Sequence, residues 1–479
     1  MELHVQLSGD SDLSGQVYRG IAAAIHDGRL ARGQQLPPSR LLARQLGISR
    51  KPVADAYARL SFERLIVGHI GKGSFVSGDA ASAAAAVTPA QDALAGNATL
   101  GYWRGLHTPL RHPMPEGSSR YEFIGGMPTS GHFPHDEWRR SMLFGLRKNN
   151  SALGRYGPTG GVPGLRAAIA RHSGFSRGVR CTDNEVIVTN GAQQGFDLLT
   201  RIMVGPGDVV AMEDPGYPLA RMLFLAQGAR VVSIGVDEQG MQVDQIPPDT
   251  KLIYTTPAHQ FPLGMPMSVA RRERLLALAY RIGALIIEDD YDSEFRYEGR
   301  PTDSLQSMDR HGVVAFVGSF SKVMLPELRV GYIVAPRALV QPLLSAKHVF
   351  DWHSPAAVQY ALAHFIDDGL LLKHIRRGHG IYATRREALM KQFAGPLAPW
   401  FRLVPNTAGF HVAAVATRGV DIRLLQRLAR RAEVGLYALA DFYTDRPPES
   451  GLFLGYGAIE TLDIEPALMR VRDVLAEMG

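Results

Sequence analysis

One stretch of the chain reads GSFSKVMLPELR, Gly318 to Arg329. Ser319 and Ser321 lead into Lys322, and Arg329 follows seven residues later. A lysine amine can form a Schiff base with an aldehyde, while hydroxyls and a guanidinium suit a phosphate. One cofactor carries both groups, pyridoxal 5'-phosphate (PLP). Its chemistry also needs a carboxylate for the ring nitrogen, a phosphate cup and an aromatic ring over the pyridine face. Each has a candidate. Asp289 in EDDYDSEF stands at the end of an apolar run, and Tyr291 could donate to the ring's phenolic oxygen. Tyr217 in EDPGYP is the ring to stack. Gly191, Ala192 and Gln193 open a helical pattern after EVIVTN, and free N–H groups at a helix start bind phosphate. His259 and Gln260 in TPAHQFPLG are candidates for a further polar contact to the ring. No residue set asks for a metal.

These residues need a frame. From about residue 119 to 479, short apolar runs alternate with amphipathic helical patterns: EVIVTNG, DVVAMEDPGY, ARVVSIG, KLIYTTPAH, ALIIEDDYD, VVAFVGSFSK and RVGYIVAP. The alternation predicts an α/β domain with a mostly parallel sheet covered on both faces. Ligands in such sheets bind beyond the carboxyl ends of the strands, where the candidates fall.

Residues 1–78 read differently. They hold ten Lys and Arg against six Asp and Glu, so a sixth of the chain carries most of the net charge of +6. Val17, Ile21 and Ile25 mark one helix face. Two further helical patterns follow, with Ser39 and Ser49 as expected N-caps, Leu41, Leu42 and Leu46 as one apolar set, and Gly47 as the break between them. Helix, glycine turn, helix predicts a helix-turn-helix whose second helix enters the major groove. LIVGHIGKGSFVSG predicts a hairpin wing with Lys72 at its tip. Arg50 and Lys51 open the recognition helix, where side chains reach base edges and phosphates. Arg40 and Lys72 are expected on phosphates. Between the two units, residues 79–118 are rich in Ala and small polar residues and read as a linker.

LPPSR, LGISRKPV and GKGSFV, in that order, resemble the winged helix-turn-helix of GntR-type regulators over Leu13 to Ser77. Phe62-Glu63-Arg64 departs from the pattern where that family often has glycine. The second unit resembles fold-type I aminotransferases over about 360 residues, with a C-terminal small subdomain and RYGPTGGVPGLRAAIA as the family's entry segment. The resemblance implies that Tyr156 reaches the cofactor phosphate of a partner subunit, hence a homodimer. Both halves together resemble the MocR/GabR subfamily. It implies a regulator that binds operator DNA and senses PLP or a small amine; the alternative is a working aminotransferase with an appended head. In such regulators the arginine that clamps a ligand carboxylate is expected within LYALADFYTDRPPESGLFLGYG. There Ala440 and Asp441 hold the expected place, and Arg446 reads as a solvated loop residue.

Composition sets the bounds. With 46% hydrophobic and 20% charged residues this is an ordinary globular chain. A single cysteine, Cys181, forbids an intrachain disulfide and suggests a reducing compartment, the cytoplasm. No leader is legible at the N-terminus, and no run nears the ~20 apolar residues of a membrane span.

Overall fold

All seven apolar runs are strands. The computed structural model describes residues 7, 9, 11–69, 71–77, 103–105, 119–150, 155–298, 303–417 and 419–478. The chain divides into two compact units, Met1–Gly105 and Leu106–Gly479. Most of the stretch read as a linker lies outside the described residues.

The N-terminal unit holds helices α1 (Leu13–His26), α2 (Ser39–Gln45) and α3 (Arg50–Phe62), then the antiparallel hairpin β1 (Ile66–His69) and β2 (Gly73–Val76). Val17, Ile21, Leu42, Val53 and Leu60 are fully enclosed in its core. Two expectations need correction. Leu41 is exposed, and Leu42 with Ala43 does the packing. Ser39 is the first residue of α2, not its cap; Pro38 holds the cap position, and the Ser39 hydroxyl accepts from Arg50 Nε at 3.4 Å. Ser49 does stand at the cap of α3, but its side chain makes no capping bond.

In the second unit an eight-stranded sheet runs β4-β11-β10-β9-β8-β5-β6-β7. Its members are β4 (Val186–Thr189), β5 (Val209–Asp214), β6 (Arg230–Asp237), β7 (Gly240–Met241), β8 (Thr250–Thr255), β9 (Leu285–Asp290), β10 (Val314–Ser319) and β11 (Gly331–Val334). β6-β5-β8-β9-β10 are parallel, and β11 runs against both β10 and β4. Every residue of β4, β5 and β9 is buried, as expected for strands with helices on both faces. A smaller antiparallel sheet joins β12 (Phe401–Leu403), β13 (His411–Ala416), β16 (Gly451–Gly455) and β15 (Tyr437–Ala438) in the order β12-β13-β16-β15. β3 (Tyr121–Glu122) pairs in parallel with β14 (Val434–Gly435), tying the start of the unit to its C-terminal part. Among the described residues no helix is long and apolar enough to cross a membrane.

The glycine that the resemblance led us to expect near position 64 has a structural correlate. Arg64, in the turn between α3 and the wing, sits at φ +58°. Non-glycine residues pay for that left-handed region. Arg64→Gly is therefore expected to stabilise the N-terminal unit by roughly 0.5–1 kcal/mol, the strain relieved less the extra chain entropy of glycine. Calorimetry of that unit's transition checks it; a lower midpoint would mean the Arg64 side chain contributes more than the strain costs.

Candidate functional site

The carboxyl ends of β4, β5, β8, β9 and β10 gather around a cavity of about 420 Å³. In-register pairing of β9 with β10 sets Asp289 opposite Val317, one residue before the glycine that leads into Ser319. Alternation along β9 divides its acidic run. Glu288 caps two backbone N–H groups, of Leu305 at 2.7 Å and Gln306 at 2.8 Å, and Asp290 pairs with buried Arg177 at 2.5 Å. Asp289 alone lines the cavity.

Lys322 follows β10 on a tight loop in which the Ser321 N–H donates to the Ser319 hydroxyl at 3.1 Å. Its Nζ donates to the Gly126 carbonyl at 2.6 Å. A Cβ at Gly126 would stand 2.9 Å from that nitrogen, so only glycine admits the amine there. Burial lowers the Lys322 pKa, with Asp292 and Asp289 opposing. A larger neutral fraction is the state in which an amine is a nucleophile.

Gly191, at φ +80°, caps helix α4 (Ala192–Met203), and no side chain caps the first-turn N–H groups. Arg329 lies over Gly191, where a Cβ would meet its guanidinium at 2.7 Å, and it donates to the Asn190 carbonyl at 3.2 Å. Ala192, Gln193, Ser319, Ser321 and Arg329 line one end of the cavity. Behind them Asp351 accepts from Asn190 Nδ2 and Gln194 Nε2, each at 2.8 Å, and pairs with enclosed Lys347 at 2.8 Å. This buried pair, unread in the sequence, holds the start of α4.

Tyr217 and Tyr291 also line the cavity. The Tyr217 ring stands edge-on to Phe261, with centroids 5.6 Å apart. Tyr291 donates to the His259 carbonyl at 3.0 Å rather than into the cavity. His259 does not line the cavity. Asn406 Nδ2 donates to its Nε2 at 3.0 Å, so Nδ1 carries the proton and donates to Asp292 Oδ1 at 2.7 Å. Gln260 is turned away, its amide spent on the Pro215 and Phe261 carbonyls and on Glu213. Asp292 and His411, not singled out in the sequence, do line the cavity. Gly409, at φ +74°, makes room for this cluster; a Cβ there would lie 2.2 Å from the His259 ring and 2.4 Å from Asp292. Arg446 packs on Gly235 and Gln245, and Asp441 pairs with Arg423; neither lines the cavity. Tyr156 is 73% exposed and stacks on Trp352 at 4.2 Å.

On the N-terminal unit, Arg40, Ser49, Arg50, Lys51 and Lys72 are exposed. Arg19, Arg29 and Arg59 are taken by acidic partners, whereas Arg40, Lys51 and Lys72 have none among the described residues.

Asp289 yields a pH signature. Burial drives its pKa up to about 7, against the Tyr254 hydroxyl that donates to it at 2.5 Å. The folded protein then holds a proton that the unfolded chain releases near pH 4, so stability falls as pH rises from about 4 to 7. In melting of the cofactor-free protein, Asp289→Asn should remove this contribution and make stability decline less steeply with pH than in the parent. The background is set by the other shifted groups, among them Glu288 and Glu294, pushed up to about 7 and about 8, and His172, pushed down to about 4. Equal slopes in both proteins would reject the assignment.

Residues 125–450 match the family of class I and II aminotransferases, and residues 13–76 match the gntR family of bacterial regulatory proteins. Over 97% of its length the chain is 34% identical to the probable rhizopine catabolism regulatory protein MocR of Rhizobium meliloti, covering 94% of that protein. It is 28% identical to the pyridoxine biosynthesis transcriptional regulator PdxR of Corynebacterium glutamicum, over 99% of this chain and 97% of that one. Among solved structures, the α-aminoadipate aminotransferase of Thermus thermophilus, complexed with N-(5'-phosphopyridoxyl)-L-leucine, superposes with a TM-score of 0.71. That match is 26% identical and covers 79% of this chain and 97% of the enzyme.

Proposed function

The chain belongs to the MocR/GabR subfamily of GntR-type regulators, and from that premise we propose that it is a PLP-dependent transcription regulator of the cytoplasm. The N-terminal unit binds operator DNA. The C-terminal unit senses PLP, or an amine that reaches it. The observation that carries the reading is Lys322: a half-buried amine of lowered pKa on the wall of a cavity whose other residues match the cofactor's parts.

Bound PLP supplies an electrophilic carbonyl carbon and an electron-withdrawing ring. The chain's own groups do the rest. Lys322, whose amine now donates to the Gly126 carbonyl, would be the residue that holds the carbonyl carbon. Ser319, Ser321, Arg329 and the N–H groups at the start of α4 hold the phosphate. Asp289 keeps a proton on the ring nitrogen, and a cationic partner there would offset the cost of burying its charge. Tyr217 would pack on the ring, and the Tyr291 hydroxyl, now on the His259 carbonyl, would be available to the phenolic oxygen. Exposed Tyr156, with Trp352 beside it, suits a homodimer in which each copy completes the other's phosphate site.

Regulation follows from differential affinity. A ligand that favours one dimer arrangement changes the spacing of the two DNA-reading units, and only sites at a reachable spacing are then held well. Lys322, Asp289 and Tyr291 also meet the minimum for a transaminase, so turnover with an amino donor and keto acceptor belongs beside every operator measurement.

Lys322→Ala should abolish the visible band of the bound cofactor, its fixation by borohydride and the ligand response of operator binding. An unchanged spectrum would sink the site. Arg50→Ala and Lys51→Ala should each weaken operator binding by about 1–3 kcal/mol where the contact is to a base edge. A phosphate contact would instead lower affinity evenly across sequences and reduce the salt slope by about one. The cofactor spectrum should stay as it was; wild-type operator affinity in both variants would misplace the recognition helix.

A further inference from the structure

The ligand side of the cavity has an unusual balance of groups. Three phenylalanines meet on its wall: Phe442 and Phe453 at 4.8 Å between centroids, Phe261 and Phe442 at 5.2 Å, Phe261 and Phe453 at 5.5 Å. They come from the loop after β8, the turn after β15 and the middle of β16, so three separate elements converge to build one apolar face. Cationic groups are scarce. Among the described residues the only lysine and arginine on the lining are Lys322 and Arg329, and Arg329 is drawn to the Asn190 carbonyl at the phosphate end. His411 lies against Phe453, centroids 4.8 Å apart, and burial beside His259 and Lys322 holds it neutral.

Acidic groups are not scarce. Asp292 is 1% exposed and lines the cavity. Its Oδ1 accepts from His259, but its Oδ2 has no hydrogen-bond partner among the described residues. The nearest basic atom paired with that oxygen is His411 Nδ1 at 3.8 Å, beyond hydrogen-bond reach. An unpartnered carboxylate oxygen beside aromatic faces attracts a cation and repels an anion. A ligand carboxylate would arrive without a guanidinium to pair with and with Asp292 in its way, and burying an unpaired carboxylate is costly.

Resting on the reading that PLP occupies this cavity, we infer that the amine sensed here is a primary arylalkylamine without a carboxylate. Its ring packs on Phe261, Phe442 and Phe453, and its ammonium approaches Lys322 past Asp292. The cavity of about 420 Å³ leaves space for such a body beside the cofactor ring.

A matched pair tests this. The purified holo-protein is titrated with 2-phenylethylamine and with L-phenylalanine, which differ only in the carboxylate, with n-butylamine as the body without a ring. Binding is read by calorimetry and operator affinity by fluorescence anisotropy. The expected order is 2-phenylethylamine, then n-butylamine, with L-phenylalanine at least about 100-fold weaker than the first. Asp292→Asn should narrow the amine-to-amino-acid ratio by about tenfold. Phe453→Leu, milder in a packed core, should weaken 2-phenylethylamine by about tenfold while leaving the carboxylate discrimination intact. L-phenylalanine binding as tightly as 2-phenylethylamine would overturn the inference, as would binding of neither by a protein whose cofactor band is normal. A preparation reconstituted with PLP that shows no such band and no borohydride fixation would instead overturn the underlying reading.

Discussion

A buried carboxyl group with no cation in direct contact among the described residues organises the C-terminal unit. Asp289 has the Tyr254 hydroxyl as its hydrogen-bond donor, and Asp290, Asp292 and Glu213 nearby all disfavour its ionised form. A chain does not bury such a group cheaply. Tyr254 lies at the core of the sheet and touches Phe196 and Phe224 edge-on, so the donor is as fixed as the strand beside it. On the proposed reading, a ring carrying a protonated nitrogen would offset that cost. Lys322 and Arg329, which line the cavity, both lie on the segment that links β10, the parallel neighbour of β9, to β11.

Around that carboxylate the supporting groups form a second layer whose members rarely touch the cavity. Asp351 and Lys347 hold Asn190 and Gln194, and so the start of α4. Asn406 fixes the tautomer of His259, and His259 fixes Asp292. Arg177 takes the charge of Asp290, leaving Asp289 as the acid of the run that meets the cavity. Each is buried and hydrogen-bonded, which restricts the first layer to one arrangement. The three glycines at 126, 191 and 409 serve the same end by a different route: each gives space to a side chain that a Cβ would displace.

The two units divide the work by charge. The N-terminal unit exposes unpaired basic groups on α2, α3 and the wing, suited to a polyanion whose contacts are distributed. The cavity of the second unit concentrates acids and aromatic rings, with Lys322 and Arg329 as the only lysine and arginine on its lining among the described residues. A regulator needs both affinity for DNA and a site whose ligand it can distinguish.

Much of this was legible in the chain. Lysine after a serine-rich loop, arginine seven residues on, an acid at the end of an apolar run and a glycine opening a helix are local arrangements, and the seven apolar runs marked the strands that carry them. The basic residues of the N-terminal unit were legible for the same reason, since helix starts and a hairpin tip are exposed by their own geometry. What lay beyond reach depended on direction within buried segments. In a fully buried loop or strand, hydrophobicity does not say which side faces a cavity. His259 and Gln260 were expected there and do not line the cavity, whereas Asp292 and His411, 119 residues apart in the chain, do. Arg177, Lys347 and Asn406 gave no local signal, because a side chain that satisfies a distant buried group looks, in sequence, like any solvated one. Residue type and order therefore determined the cofactor chemistry. Only the packing of remote elements, which sets where each buried polar group finds its partner, decided which acids and rings face the ligand.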